Sequence, residues 1–163
     1  MIIRAITLAG GLVVGAGASQ FPEFSQQYAQ RLGGAVDALG EVVADFDTSA
    51  AAEGLSRDQA LVQMAGTDFI KRRRVDMERT FKRHMVLSED LKLLTDAGPF
   101  MRAYHGARFR DGDVAKAAWD VYQPAVPLNL TGAIFAGFGF FVGLFSIGGL
   151  LAVLRWPWRR RTA

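Results

Sequence analysis

The sequence predicts an all-α fold in which two transmembrane helices bracket an antiparallel helical hairpin, with short juxtamembrane helices before the second span. Three observations predict it. No charged residue occurs from Val121 to Leu154, a second uncharged stretch runs from Ala5 to Pro22, and the region between them carries apolar residues at helical spacing. Nothing in that region alternates with period two over a useful length, so no strand is expected.

The second span is the clearer one. A hydrocarbon core about 30 Å thick needs roughly 20 apolar residues in a helix, and Thr131 to Leu154 exceeds that. Trp156, Trp158, Arg159, Arg160 and Arg161 follow as aromatic and basic interface anchors. The first span, Ile2 to Ser19, is rich in Gly and Ala. Its Ala16-Gly17-Ala18 also fits a signal-peptide cleavage pattern. One arginine makes a weak n-region, and Pro22 marks a break where a retained helix would leave the bilayer.

Charge supports this division. All 16 acidic residues lie between Glu23 and Asp120 with 14 of the basic ones, a net of −2, while Arg4, Arg155 and Arg159 to Arg161 stand at the ends. By the positive-inside rule both termini are expected in the cytoplasm of a bacterium and the middle in the periplasm of its inner membrane. The basic pI is therefore no sign of nucleic-acid binding. The expected organisation is a first transmembrane helix over 1–21, a periplasmic hairpin over 22–98 and juxtamembrane helices with a Pro-containing joint over 99–130. A second transmembrane helix over 131–155 and a basic tail over 156–163 complete it.

Each span carries a small-residue stripe that allows close helix approach. In the second it is Gly132, Ala136, Gly139, Gly143 and Ser146; in the first, Gly11 and Gly15. The stripes fit two arrangements, packing of the spans on each other or docking on a partner's membrane helices. No ionisable residue interrupts either span after Arg4, which argues against a proton or ion path.

The hairpin's first helix shows a heptad-like seam of Tyr28, Leu32, Ala35, Leu39, Val42 and Phe46, expected to end at Asp47-Thr48-Ser49. Ser56-Arg57-Asp58-Gln59 fits a capping box for a short helix reaching Ala65. Thr67 or Asp68 then caps the longest helix, stopped by Gly98-Pro99, with Ile70, Met77, Phe81, His84, Leu87, Leu91 and Leu94 on its apolar face. Its other face predicts i,i+4 pairs Arg72–Asp76, Arg74–Glu78 and Glu78–Lys82. Two short helices, broken at Gly106 and Asp111-Gly112, should place Tyr104, Phe109, Trp119 and Tyr122 near the interface.

Chemistry-bearing patterns are sparse. The chain has no cysteine and two histidines, so neither thiolate chemistry nor a metal centre is expected. His84 reads as a core residue and His105 as an exposed one. The serines lack a nucleophile-elbow context, and the Lys71 to Arg74 run reads as a salt-bridged helix face. Asn129-Leu130-Thr131 matches a glycosylation sequon, read as accidental beside a membrane. No catalytic residue, cofactor or enzyme activity is expected.

Gly-rich first span, FPEFSQQYAQRLGGAVDAL, FDTSAAAEGLSRDQAL and WDVYQPAVPLNLTGAIFAGFGFFVGL together resemble a family of small proteobacterial inner-membrane proteins known only as a domain of unknown function. The resemblance covers nearly the whole chain and implies the two-span topology, with no catalytic residue or cofactor to carry over. The expected role is a non-catalytic accessory subunit or assembly factor of a larger inner-membrane complex, respiratory or photosynthetic. The expected partners are membrane lipids and an integral-membrane complex, with no nucleic acid. The alternative is a periplasmic adaptor that pairs with a second copy or another protein through the seam, or binds lipid headgroups.

Overall fold

The computed structural model describes residues 2–124 and 129–159, and the described residues are helical with no strand. They divide into two compact units, one of residues 2–26 with 122–124 and 129–159 and the other of residues 27–121.

The first unit holds α1 (Ile2–Ser19), the start of α2 (Phe21–Ala52), and α7 (Leu130–Arg159). Both α1 and α7 are long and apolar enough to cross a membrane. Only 17% and 11% of their most apolar windows are buried, unlike a helix at the centre of a soluble core. A single turn residue, Gln20, separates α1 from α2, two residues before Pro22. Pro22 sits in the first turn of α2, where its missing N–H is one that no helix satisfies internally. At the other span, Asn129 Oδ1 accepts from the Gly132 amide at 2.7 Å. Asn129 is thus a helix cap, which accounts for this residue in the sequon-like triplet.

The second unit pairs α2 with α4 (Asp68–Asp96), joined through α3 (Arg57–Gln63), and adds α5 (Pro99–Tyr104), a 3₁₀ turn (Gly106–Arg108) and α6 (Gly112–Val121). The pairing is antiparallel: Phe46 meets Phe81 at 5.1 Å, a Cβ on Gly40 would touch His84, and one on Gly33 would reach Leu91. The core takes Tyr28, Leu32, Val43 and Ala50 from α2, Met77, Leu87 and Leu94 from α4, and Val114 and Ala118 from α6.

Two expectations about α2 need correction. Val42 is 43% exposed and Val43 is buried in its place. The buried positions Tyr28 and Ala50, and half-buried Leu39 between them, recur every 11 residues, as do Leu32 and Val43. An 11-residue repeat gives 3.67 residues per turn and follows a nearly straight helix, whereas a heptad stripe drifts off its face. The helix also continues past Asp47-Thr48-Ser49. Thr48 and Ser49 donate back to the carbonyls of Ala44 and Asp45, so their hydroxyls are satisfied within the helix. The stop is Gly54 at φ 66°, where the Leu55 amide bonds to Ala50 O at 2.9 Å. That is a left-handed cap suited to glycine.

Elsewhere local chemistry sets the ends as expected. Ser56 Oγ accepts from the Gln59 amide and Gln59 Oε1 accepts from the Ser56 amide. Thr67 Oγ1 accepts from the Ile70 amide, and α4 ends two residues before Gly98-Pro99. Helix α3 ends at Gln63, short of Ala65.

Candidate functional site

The first candidate is the contact between the two spans. A methyl group added to Gly15 would lie 2.8 Å from Ala136 O, and one on Gly11 would lie 3.0 Å from Phe140 O. From the other side, a Cβ on Gly139 would fall 2.9 Å from Val14 O, and one on Gly143 3.1 Å from the Gly11 Cα. The glycines of each helix therefore interlock with the backbone of the other, which is how membrane helices gain close van der Waals contact. Of the expected stripe, Gly132 is buried and turned to its cap, Ala136 is half-buried, and Ser146 is exposed and off the contact. Gly139 and Gly143 of the stripe, with Gly11 and Gly15, thus form an internal contact of this chain.

At one end the interlock opens into an apolar cleft of about 340 Å³, lined among others by Leu12, Ala16, Ala133 and Ala136 and bounded by Ser19 and Gln20. The polar pair is tied down. Tyr122 donates its hydroxyl to Gln20 Oε1 at 2.9 Å, Gln20 donates to Ser19 Oγ at 3.0 Å, and Ser19 donates to Ala16 O at 2.7 Å. Phe24 stands edge-on to Tyr122, and Phe21 stacks on Phe135. The latch ties the end of α1 to Tyr122, in the segment between α6 and α7.

The outward surface of the spans is apolar. Ile134, Phe138, Phe141 and Phe145 are exposed on α7, as are Leu12 and Val13 on α1. The anchors Trp156, Trp158 and Arg159 fall where only the helix itself is described. Arg160 and Arg161, with Pro127 of the expected joint, lie outside the described residues.

The second candidate is a charged cluster that the sequence reading missed. Asp90 on α4 is fully buried. Arg110 holds it through two bonds, Nε to Oδ2 at 2.8 Å and Nη2 to Oδ1 at 3.0 Å. Arg108 adds Nη1 to Oδ1 at 3.0 Å. The fork geometry suits a carboxylate, and its bond to Asp90 raises the pKa of Arg110. Phe109 points the other way, its ring 4.6 Å from that of Tyr28. The Tyr28 hydroxyl is buried without a hydrogen bond of normal geometry. Burial pushes its pKa up, opposed mainly by the Asp111 main-chain amide nearby. Beside the cluster, Arg83 pairs with Asp111 and Asp113, and Asp111 Oδ1 caps α6 by accepting from the Val114 amide at 3.0 Å.

One sequence signal pointed here. Asp90 lies three residues after Leu87 and four before Leu94, on the apolar stripe of α4. An acid at a core position requires a cationic partner. Its partners, in Arg108-Phe109-Arg110, are a charge–aromatic–charge triplet on a turn.

The basic run behaves as a helix face. Lys71 pairs with Asp68, Arg73 with Asp76 and Arg74 with Glu78. Asp76 takes Arg73 and Arg79 at i,i+3 spacing in place of the expected Arg72. His84 is half-buried against Gly40, and His105 meets the Tyr104 ring. Among the described residues no group of three His, Asp or Glu is placed to hold a metal ion.

Searches of curated proteins and of solved structures found no match to the chain. The family is nevertheless shown: its model matches residues 1–160, and the chain belongs to the family described as Protein of unknown function (DUF2937).

Proposed function

We propose that the chain is a non-catalytic accessory or assembly subunit of a larger bacterial inner-membrane complex, acting as a scaffold. Of its buried polar side chains, Ser19 and Ser25 bond back to their own helices and Asp90 ties α4 to the turn after α5, which supports holding over chemistry. The observation that carries the reading is the outer face of α7. Phe138 and Phe145 are each 71% exposed there, on a helix whose opposite face α1 already fills. A projecting aromatic ridge offers large contact area to a neighbouring membrane helix.

The interlock changes how such docking works. The glycine stripe is occupied within the chain, so a partner meets the phenylalanine ridge. Of the seam, Phe46 packs on Phe81 of α4 and Tyr28 on Phe109 of the turn, with Leu32 also buried and Val42 exposed. Pairing with a second copy through it would require α2 and α4 to separate, which weakens the adaptor alternative. Arg4 in the first turn of α1 and Arg155 near the end of α7 support a hairpin topology with both termini cytoplasmic.

The test is native-gel migration with mass spectrometry of the tagged full chain, expressed at natural level and extracted in mild detergent. Co-migration with a large complex at fixed stoichiometry, lost on changing Phe138, Phe141 and Phe145 to Ala, is the expected outcome. Migration alone, or as a small homo-oligomer, overturns it.

A further inference from the structure

The six-residue helix α5 is built inside out. Phe100 and Met101 are each 50% exposed and Tyr104 is 81% exposed, all on one face. The opposite face is fastened, because Arg102 Nε donates to Leu94 O at 2.8 Å in the last turn of α4. A helix this short has no stability of its own in water. That bond holds α5 to α4 while Met101 and Tyr104 turn outward and Phe100 stays half-exposed.

Positive charge follows within six residues. Arg108 and Arg110 share one carboxylate, Asp90, which leaves one positive charge over among these three side chains, with Glu89 the nearest further acid acting on Arg110. Their side chains remain 36% and 48% exposed, and Arg108 spends a single N–H on Asp90. Outward apolar side chains beside exposed arginines are the composition of an element lying in a membrane interface. The chain itself enters α7 within 26 residues of Tyr104.

We propose that α5 and the arginine turn after it form a lipid-binding foot, with Phe100, Met101 and Tyr104 seated at the acyl boundary and Arg108 and Arg110 receiving the phosphate of an anionic phospholipid. The inference rests on the reading of α1 and α7 as membrane spans. It adds a third point of membrane attachment, with a preference for acidic lipid. Each guanidinium near an anionic surface contributes about 1 kcal/mol, or about five-fold in lipid preference.

The chain has no cysteine, so single-cysteine labelling of the full protein in nanodiscs tests this directly. An environment-sensitive fluorophore is attached in turn to Tyr104→Cys, Phe138→Cys and Phe69→Cys, and brominated acyl chains serve as quencher. Position 104 is expected to match position 138 in blue shift and quenching, while position 69 stays aqueous. If 138 is quenched and 104 behaves like 69, the foot is refuted and the spans stand. If 138 is also unquenched, the span reading falls and the foot with it. Native mass spectrometry of nanodiscs mixing phosphatidylglycerol with phosphatidylcholine reads the headgroup. Arg108→Gln, which leaves the Arg110 fork on Asp90, is expected to lose about five-fold of the anionic enrichment. Unchanged enrichment overturns the headgroup assignment.

Discussion

Gly139 stands against Gly15 with no room for a methyl group between them. A Cβ at position 139 would lie 3.2 Å from the Gly15 Cα and 2.9 Å from the main-chain oxygen of Val14. Backbone cannot yield as a flexible side chain can. Gly139→Leu is therefore expected to force the spans apart at a cost of about 1–3 kcal/mol. Gly137, two residues away, would meet nothing within 4 Å, and Gly137→Leu should change stability by less than about 0.5 kcal/mol. Denaturation in detergent, read by energy transfer between labels on α1 and α7, compares them. Equal effects from both substitutions would mean that the interlock does not hold the spans.

Asp90 makes a second, asymmetric prediction. The carboxylate is fully buried, whereas its two arginines reach solvent. Replacing both Arg108 and Arg110 by Ala strands a buried charge, which costs about 3–5 kcal/mol. Asp90→Ala frees the guanidiniums to turn toward water and should cost clearly less. Urea midpoints of the three proteins, followed by circular dichroism, rank them. A larger loss for Asp90→Ala would contradict the burial argument.

What was legible in the sequence divides by range. Ser56 with Gln59, Thr67 and Gly98-Pro99 act on amides a few residues away, so helix ends could be read locally. The exception was Gly54, whose left-handed cap outweighs the Asp47-Thr48-Ser49 stop because those hydroxyls bond back into the helix. Longer-range facts were not readable. A glycine stripe announces that some backbone comes close but not whose, and Gly15 opposite Gly139 is a relation across most of the chain. The choice between Val42 and Val43 depends on whether α2 follows a 3.5 or a 3.67 repeat, which its facing helix decides. Asp90 was visible as an acid on an apolar stripe, but its partners lie 18 and 20 residues on, beyond any helical spacing rule.

Tyr28 separates the value of a ring from that of its hydroxyl. The ring is fully buried against Phe109, so Tyr28→Ala should cost about 3–5 kcal/mol. The hydroxyl closes no normal hydrogen bond, so Tyr28→Phe should be neutral or stabilising. Burial raises the pKa of Tyr28 in the folded chain. Its contribution is thus complete below the unfolded value near 10 and is lost as pH rises through the folded value. Tyr28→Phe should therefore resist alkaline unfolding better than the parent. Identical alkaline midpoints would show that Tyr28 titrates normally.

The clasp between Asp47 and Arg57 carries the opposite pH dependence. Arg57 grips Asp47 with two N–H groups, Nε to Oδ1 at 2.8 Å and Nη2 to Oδ2, while its guanidinium lies 4.7 Å from the centre of the Phe81 ring. One side chain thus connects α2, α3 and α4. Hydrogen bonding from Arg57 lowers the Asp47 pKa. A depressed carboxylate pKa means that the stabilisation is present above the unfolded value near 3.9 and disappears as pH falls through the lower folded value. Because both side chains are 42% exposed, solvent and salt weaken the pair, and the effect should shrink at high ionic strength. A carbon-13 titration of the Asp47 carboxyl should therefore show a midpoint below the ordinary range, moving back up in Arg57→Gln. The melting temperature should fall less between pH 6 and pH 3 in Asp47→Asn than in the parent, since the variant has no carboxylate to protonate. An Asp47 midpoint in the ordinary range would mean that the clasp is open in solution, leaving the capping box at Ser56 to hold α3 in place.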